Sequence, residues 1–271
     1  MSTVIRVLGL AEIETLLDWA ATEGWNPGLD DARAFQAADP AGFIGAFEGE
    51  TLVAGISVVA YDATFGFLGL YICHPDHRGR GLGRAVWNAG MAHLGERTIG
   101  LDGVPAQQPN YRRMGFSAHY DTLRMTGVLE HAPAQSSIIA PLVDISQLQA
   151  LEQVCFPAER AAFLAAWIAP PHRTMVATRN GHVCGYMVVR RCRSGQKIGP
   201  LFAEDMGVAL DLIGSVAGSA SIDVPAPQTK TLASLAQKGL TSQFRTARMY
   251  RGPAPAMDLS KVFGVTTLEL G

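Results

Sequence analysis

Tyr71-Ile72-Cys73-His74-Pro75-Asp76-His77-Arg78-Gly79-Arg80-Gly81-Leu82-Gly83-Arg84 is the stretch that decides how this chain reads. It begins at the end of an apolar, aromatic-rich run, Phe65 to Cys73, whose length and composition predict a strand. Pro75 ends that strand, because proline has no N–H to give a sheet and fixes its own φ. A basic, glycine-rich turn follows. It opens into Leu82, Val86, Ala89 and His93 at helical spacing. A strand, a glycine turn and a helix N-terminus together make an anion site, since backbone N–H groups converge there and the helix dipole favours negative charge. Arg78, Arg80 and Arg84 add positive charge, so the expected ligand is a phosphate or pyrophosphate.

Templates narrow the ligand. The nucleotide-hydrolysing pattern GxxxxGK[ST] fails, because no lysine and no Ser/Thr follows Gly83. The dinucleotide pattern GxGxxG fails by spacing, with glycines at 79, 81 and 83. Arg-x-x-Gly-x-Gly fits as Arg78-Gly79-Arg80-Gly81-Leu82-Gly83, after an apolar strand and a His-Pro. This resembles the acetyl-CoA signature of the GNAT N-acetyltransferase superfamily. The resemblance implies acetyl-CoA as cofactor, its pyrophosphate on Arg78, Gly79, Arg80, Gly81, Leu82, Gly83 and Arg84. It also implies that the thioester carbonyl is held by the backbone of Tyr71, Ile72 and Cys73.

Composition sets bounds. At 271 residues the chain can form one large or two small domains, each with its own core. Lys+Arg of 22 against Asp+Glu of 24 leaves −2, so no global basic field recommends nucleic acid or an anionic membrane. No apolar run reaches the ~18 residues of a membrane span, and no signal peptide is expected at the start. The four cysteines, 73, 155, 184 and 192, show no metal-ligand spacing and read as buried thiols of a cytoplasmic protein. No metal site is expected.

Along the chain, Ile13, Leu16, Leu17, Ala20 and Ala21 predict a one-faced helix. A short helix is expected over Asp31 to Ala38, a hairpin over Gly42–Phe47 and Leu52–Ala60, and then the Phe65–Cys73 strand. After the helix of the anion turn come a strand from Thr98 to Leu101, a helix from Gln107 to Met114 stopped by Gly115, and a strand from Ser117 to Val128. This is also the element order of GNAT proteins, so the resemblance spans about residues 1–130. It reaches Asn110-Tyr111-Arg112-Arg113-Met114-Gly115-Phe116, similar to the family's Tyr-x-x-x-Gly-Phe segment. The resemblance implies that Tyr111 protonates the departing thiolate. The family's asparagine upstream of that tyrosine is absent, and Gln108 stands in as a contact for the pantetheine arm.

Glu130 to Ser137 is small, polar and proline-bearing, and reads as a linker. Beyond it the pattern returns. Leu52–Val59 is echoed by His182–Val189, and Gly115–Met125 by Gly239–Met249, in the same order. The expectation is a tandem α/β (α+β) protein of two GNAT-like units, each a mixed, mostly antiparallel sheet flanked by helices. The first, 1–130, is catalytic. The second, 137–271, lacks the Arg-x-x-Gly-x-Gly turn and carries Glu204-Asp205 at the corresponding helix start, where a pyrophosphate is repelled.

The reaction expected is direct transfer of an acetyl group to a small primary amine. The amine must lose a proton first, since an alkylammonium of pKa near ~10 has no lone pair at neutral pH. Asp102 is the candidate base, acting directly or through water, though Asp102-Gly103 also reads as an ordinary strand-end turn. Glu23 and Trp25, between the first two helices, lie where the resemblance implies the acceptor pocket. Glu204 and Asp205 are expected to present carboxylate to a cationic acceptor. Alternatives are acetylation of a protein or peptide and a non-catalytic acyl-CoA sensor; the oligomeric expectation is a monomer or homodimer.

Overall fold

The computed structural model describes residues 3–271. The first half runs β1 (Thr3–Val7), α1 (Leu10–Thr22), α2 (Ala32–Ala38), β2 (Phe43–Glu48), β3 (Thr51–Ala60), β4 (Phe65–Cys73), α3 (Leu82–Leu94), β5 (Thr98–Gly103), α4 (Gln108–Arg113) and β6 (Ser117–Leu129). The second half repeats this order: β7 (Ile138–Pro141), α5 (Gln149–Cys155), α6 (Ala161–Trp167), β8 (Arg173–Arg179), β9 (His182–Arg191), β10 (Gln196–Ala203), α7 (Met206–Gly214), β11 (Gly218–Pro225), α8 (Thr229–Gln237) and β12 (Thr241–Arg251). A short extra strand, β13 (Val262–Gly264), precedes a buried tail. The two echoed segments fall on equivalent elements, β3 with β9 and β6 with β12. The edge strand β1 was not anticipated. Its side chains are mostly exposed, so no alternation of apolar and polar residues marks it.

All the strands share one sheet, in the order β1-β2-β3-β4-β5-β12-β6-β11-β10-β9-β8-β7, with β13 paired to β10. The last strands of the two halves are exchanged: β12 lies between β5 and β6, and β6 pairs in turn with β11. Each exchanged strand brings a buried arginine opposite a buried aspartate. Arg248 of β12 faces Asp102 of β5, its Nε and Nη2 donating to Oδ1 at 3.2 Å and Oδ2 at 2.8 Å. Arg124 of β6 faces Asp223 of β11 with the same fork, at 2.7 and 2.9 Å.

The helices complete the joint. α1 and α2 of one half and α5 and α6 of the other share one apolar core, in which Phe35 stacks on Trp167 at 6.0 Å. The segment read as a flexible linker is fastened down. The Asp211 carboxylate of α7 accepts from the N–H groups of Gln135 and Ser136 and from the hydroxyls of Ser136 and Ser137, at 2.8–2.9 Å.

Candidate active site

β4 and β5 run parallel and paired from Phe65–Thr98 to Leu68–Leu101, and then part. A bulge sits at the parting, where Leu70 and Tyr71 together oppose Ile56 of β3. Leu70 adopts φ 45°, a left-handed conformation that costs a bulky residue about 1–3 kcal/mol and persists only where packing enforces it. Leu70 is buried in the shared core, which supplies that enforcement.

The slot opened by this bulge holds a narrow cavity of about 40 Å³, with Trp25, Tyr71, Tyr111, Phe244, Thr246 and Glu269 among its walls. Three of those six residues come from the second half of the chain.

At the slot's outer end, Gly79 and Gly81 take φ 77° and 82°, conformations that glycine adopts without strain. No atom lies within 4 Å of where a β-carbon would stand at either glycine, so the turn faces open space. Gly81 caps α3, whose first N–H groups have no intrahelical partners. Arg78 pairs with Glu23 at 2.6 Å, and Arg80 forks onto Glu48 and touches His77. Both arginines are more than half exposed, and such pairs are worth only about 0–1 kcal/mol, so a phosphate can take them over. Arg84 has no hydrogen-bond or ion-pair partner for its side chain among the described residues. Open N–H groups beside three arginines fit the diphosphate of a CoA ester.

Tyr111 is nearly buried, its ring stacked on Trp87 and edge-on to Phe116, with centroids 6.2 and 6.1 Å away. Its hydroxyl has no hydrogen-bond partner among the described residues, and burial pushes the phenol well above its usual range. Tyr111 is therefore a protonated donor with no acceptor among the described residues. Gln108 gives its amide N–H to the Gly103 carbonyl at 3.1 Å, closing the end of β5. Ile72 is buried. Cys73 is half-buried, and burial pushes its thiol up, which leaves it a poor nucleophile.

The carboxylate of Asp102 is fully buried beneath the cavity wall, and both its oxygens are taken by Arg248. Burial raises its pKa against the pull of Arg248. Asp102 is among the residues around the cavity, and its two oxygens are engaged by Arg248, which ties it to the strand exchange. The carboxylate of Glu23 ties the end of α1 to the anion turn and is not among the cavity walls. Trp25 does line the cavity. Its carbonyl is held by Arg124 Nη1 at 2.6 Å and Lys197 Nζ at 3.2 Å.

The second half repeats the slot and closes it. β10 and β11 part after Ile198–Ile222, and a bulge at Gly199-Pro200 opposes Val188. There β13 adds to β10, pairing Leu201 with Gly264 and Phe202 with Val262. Glu204 and Asp205 stand at that end of the molecule and do not line the cavity. Asp205 caps α7, accepting from the Val208 N–H at 3.0 Å and from Arg179 at 2.9 Å, and these hold its carboxyl below the usual range. The cap and the ion pair give Asp205 a local structural role.

Residues 10–116 match the Acetyltransferase (GNAT) family, and residues 148–264 match the Acetyltransferase (GNAT) domain. The holothin acyltransferase of Pseudoalteromonas sp. (strain SANK 73390) is 30% identical over 97% of this chain and 92% of its own. The chain belongs to the GNAT family. As a tandem GNAT acyltransferase it also shares its fold with solved structures. A putative acetyltransferase from Pyrococcus horikoshii superposes with a TM-score of 0.83 at 18% identity, over 99% of this chain and 96% of that one. A tandem GNAT protein from the clavulanic acid biosynthesis pathway gives 0.62 at 16% identity, over 93% and 100%.

Phe244, Thr246, Leu268 and Glu269 of this GNAT chain were not anticipated as cavity residues. Nothing local marks them, because the strand exchange and the path of the tail bring them to β4. Among the described residues, no helix is long and apolar enough to cross a membrane, and no cluster of His, Cys, Asp or Glu could hold a metal ion.

Proposed function

We propose that this GNAT protein transfers an acetyl group from acetyl-CoA directly to the nitrogen of a small amine inside the β4/β5 cavity. The observation carrying this reading is that an unpartnered, protonated Tyr111 hydroxyl and an open, arginine-flanked glycine turn flank one slot, with a walled cavity between them. Bound there, the CoA thioester supplies an acyl carbonyl activated for attack. The N–H groups of Gly79 to Arg84 and the three arginines bind the diphosphate. The backbone at the Tyr71 bulge orients the carbonyl, and backbone donors aimed at developing negative charge contribute about 3 kcal/mol. Tyr111 delivers its proton to the leaving sulfur. The raised thiol of Cys73 argues for direct transfer over an acyl-enzyme. A narrow cavity with Trp25 and Phe244 among its walls suits a small molecule better than a peptide.

The test is a panel of amines, with holothin included because of the relative's name, incubated with acetyl-CoA and longer acyl-CoAs. Thiol release and product mass are the readouts. One N-acylated product per thiol released is expected. Acyl-CoA binding without any acylated product would leave a binding protein; an O-acylated product would overturn the amine.

A further inference from the structure

Among the buried carboxylates at the joint between the halves, one stands apart. Asp102, Asp223 and Asp31 each hold an arginine: Arg248, Arg124 and Arg190. Glu269 is also buried, yet it forms no ion pair among the described residues. Its Oε2 accepts from the Thr267 hydroxyl, and Oε1 takes no hydrogen bond from any other described residue. The residue lines the same cavity as Tyr111.

Its position is fixed by the tail. The Glu269 carbonyl packs where a β-carbon on Gly69 would stand, 2.1 Å away, so only glycine at position 69 lets the tail lie against the bulge. Tyr61 Oη donates to the Leu270 carbonyl at 2.8 Å, and Arg160 Nη1 to Thr266 Oγ1 at 2.9 Å, fastening the tail on both sides of Glu269.

We infer that Glu269, carried from the end of the second half into the cavity of the first, is the general base that deprotonates the acceptor amine. This rests on the functional reading above and adds to it a carboxylate that, unlike Asp102, holds no arginine. The steps balance. Glu269 takes one proton from the ammonium, freeing the nitrogen lone pair. The C–N bond forms and the C–S bond breaks. Tyr111 protonates the thiolate sulfur, and the second N–H proton restores the phenol. Glu269 returns its proton to solvent. A base for this task needs a pKa near the working pH, and burial raises that of Glu269. Lys197 of β10, Arg124 of β6 and Arg190 of β9 oppose that rise from a distance, and Asp31, before α2, adds to it.

The test uses the full chain and an amine that the wild type acylates. Glu269→Gln should lower kcat about a hundredfold or more while acetyl-CoA binding, measured by calorimetry, stays unchanged. The acid limb of the kcat/KM profile should disappear, and the rate should recover as pH approaches the amine's own pKa. Glu269→Asp should keep the limb at reduced rate. A carboxyl-labelled NMR titration should show one glutamate titrating above the rest in the wild type and missing in E269Q, independently of turnover. A wild-type acid limb retained in E269Q with kcat within about threefold, or no high-titrating glutamate, overturns the base alone. Acetyl-CoA binding with no amine acylated by the wild type overturns the functional reading, and the base with it.

Discussion

The β4/β5 slot and the β10/β11 slot are built from the same elements in the same order, and only one of them is open. Both part after a short parallel stretch, and both have a two-residue bulge at the parting. In the first, the bulge is Leu70-Tyr71; in the second it is Gly199-Pro200, and Pro200 has no N–H to offer. The first leads to a glycine turn with open N–H groups, the second to a helix already capped by Asp205. The second is filled by β13. One fold thus serves a site in one copy and a wall in the other. The difference lies in a few backbone donors and one added strand.

The same comparison judges Asp102. Its counterpart Asp223 makes the same forked pair with Arg124 in a half whose slot is filled, so the fork serves the strand exchange. Arg248→Met and Arg124→Met should each cost about 3–5 kcal/mol in denaturant melts, because each leaves a buried carboxylate uncompensated. The comparison breaks if Arg248→Met unfolds no more easily than the wild type and yet abolishes turnover.

Gly81→Asp puts a carboxylate and strain into the anion turn. Like charges held together cost several kcal/mol, so acetyl-CoA affinity should fall on the order of a thousandfold. Calorimetry on the wild type should give one site per chain; two equivalent sites would mean that the second slot opens after all. Tyr111→Phe should lower kcat about a hundredfold and leave acetyl-CoA binding alone, and unchanged turnover would assign the thiolate's proton to water. Asp205→Ala should cost about 1 kcal/mol of stability as a lost helix cap and leave KM for the amine unchanged. A raised KM would return the acidic pair to the acceptor site.

What could be read in the sequence was what is local. The Phe65–Cys73 strand has the expected bounds, and the anion turn declares itself because glycine and arginine act through nearby backbone and charge. The repeat was visible because β3 and β9, and β6 and β12, keep similar residues in register. What stayed hidden depends on where distant segments end up. The strand exchange leaves no mark on either strand, since Arg124 and Arg248 look alike whichever aspartate they meet. Asp102-Gly103 gives no sign in the sequence that Arg248 sits on it. Thr266-Thr267-Leu268-Glu269 reads as an ordinary chain end, and only the close approach at Gly69 shows that it is interior.

The path of that tail has a further consequence. It passes the second bulge, where the Val265 and Thr266 carbonyls crowd Gly199, and then reaches the first bulge at Gly69. A segment that touches both bulges occupies the region that relates the two halves. The two halves are thereby made unequal by their own tail, with the first half receiving the Glu269 side chain at its cavity and the second giving it up.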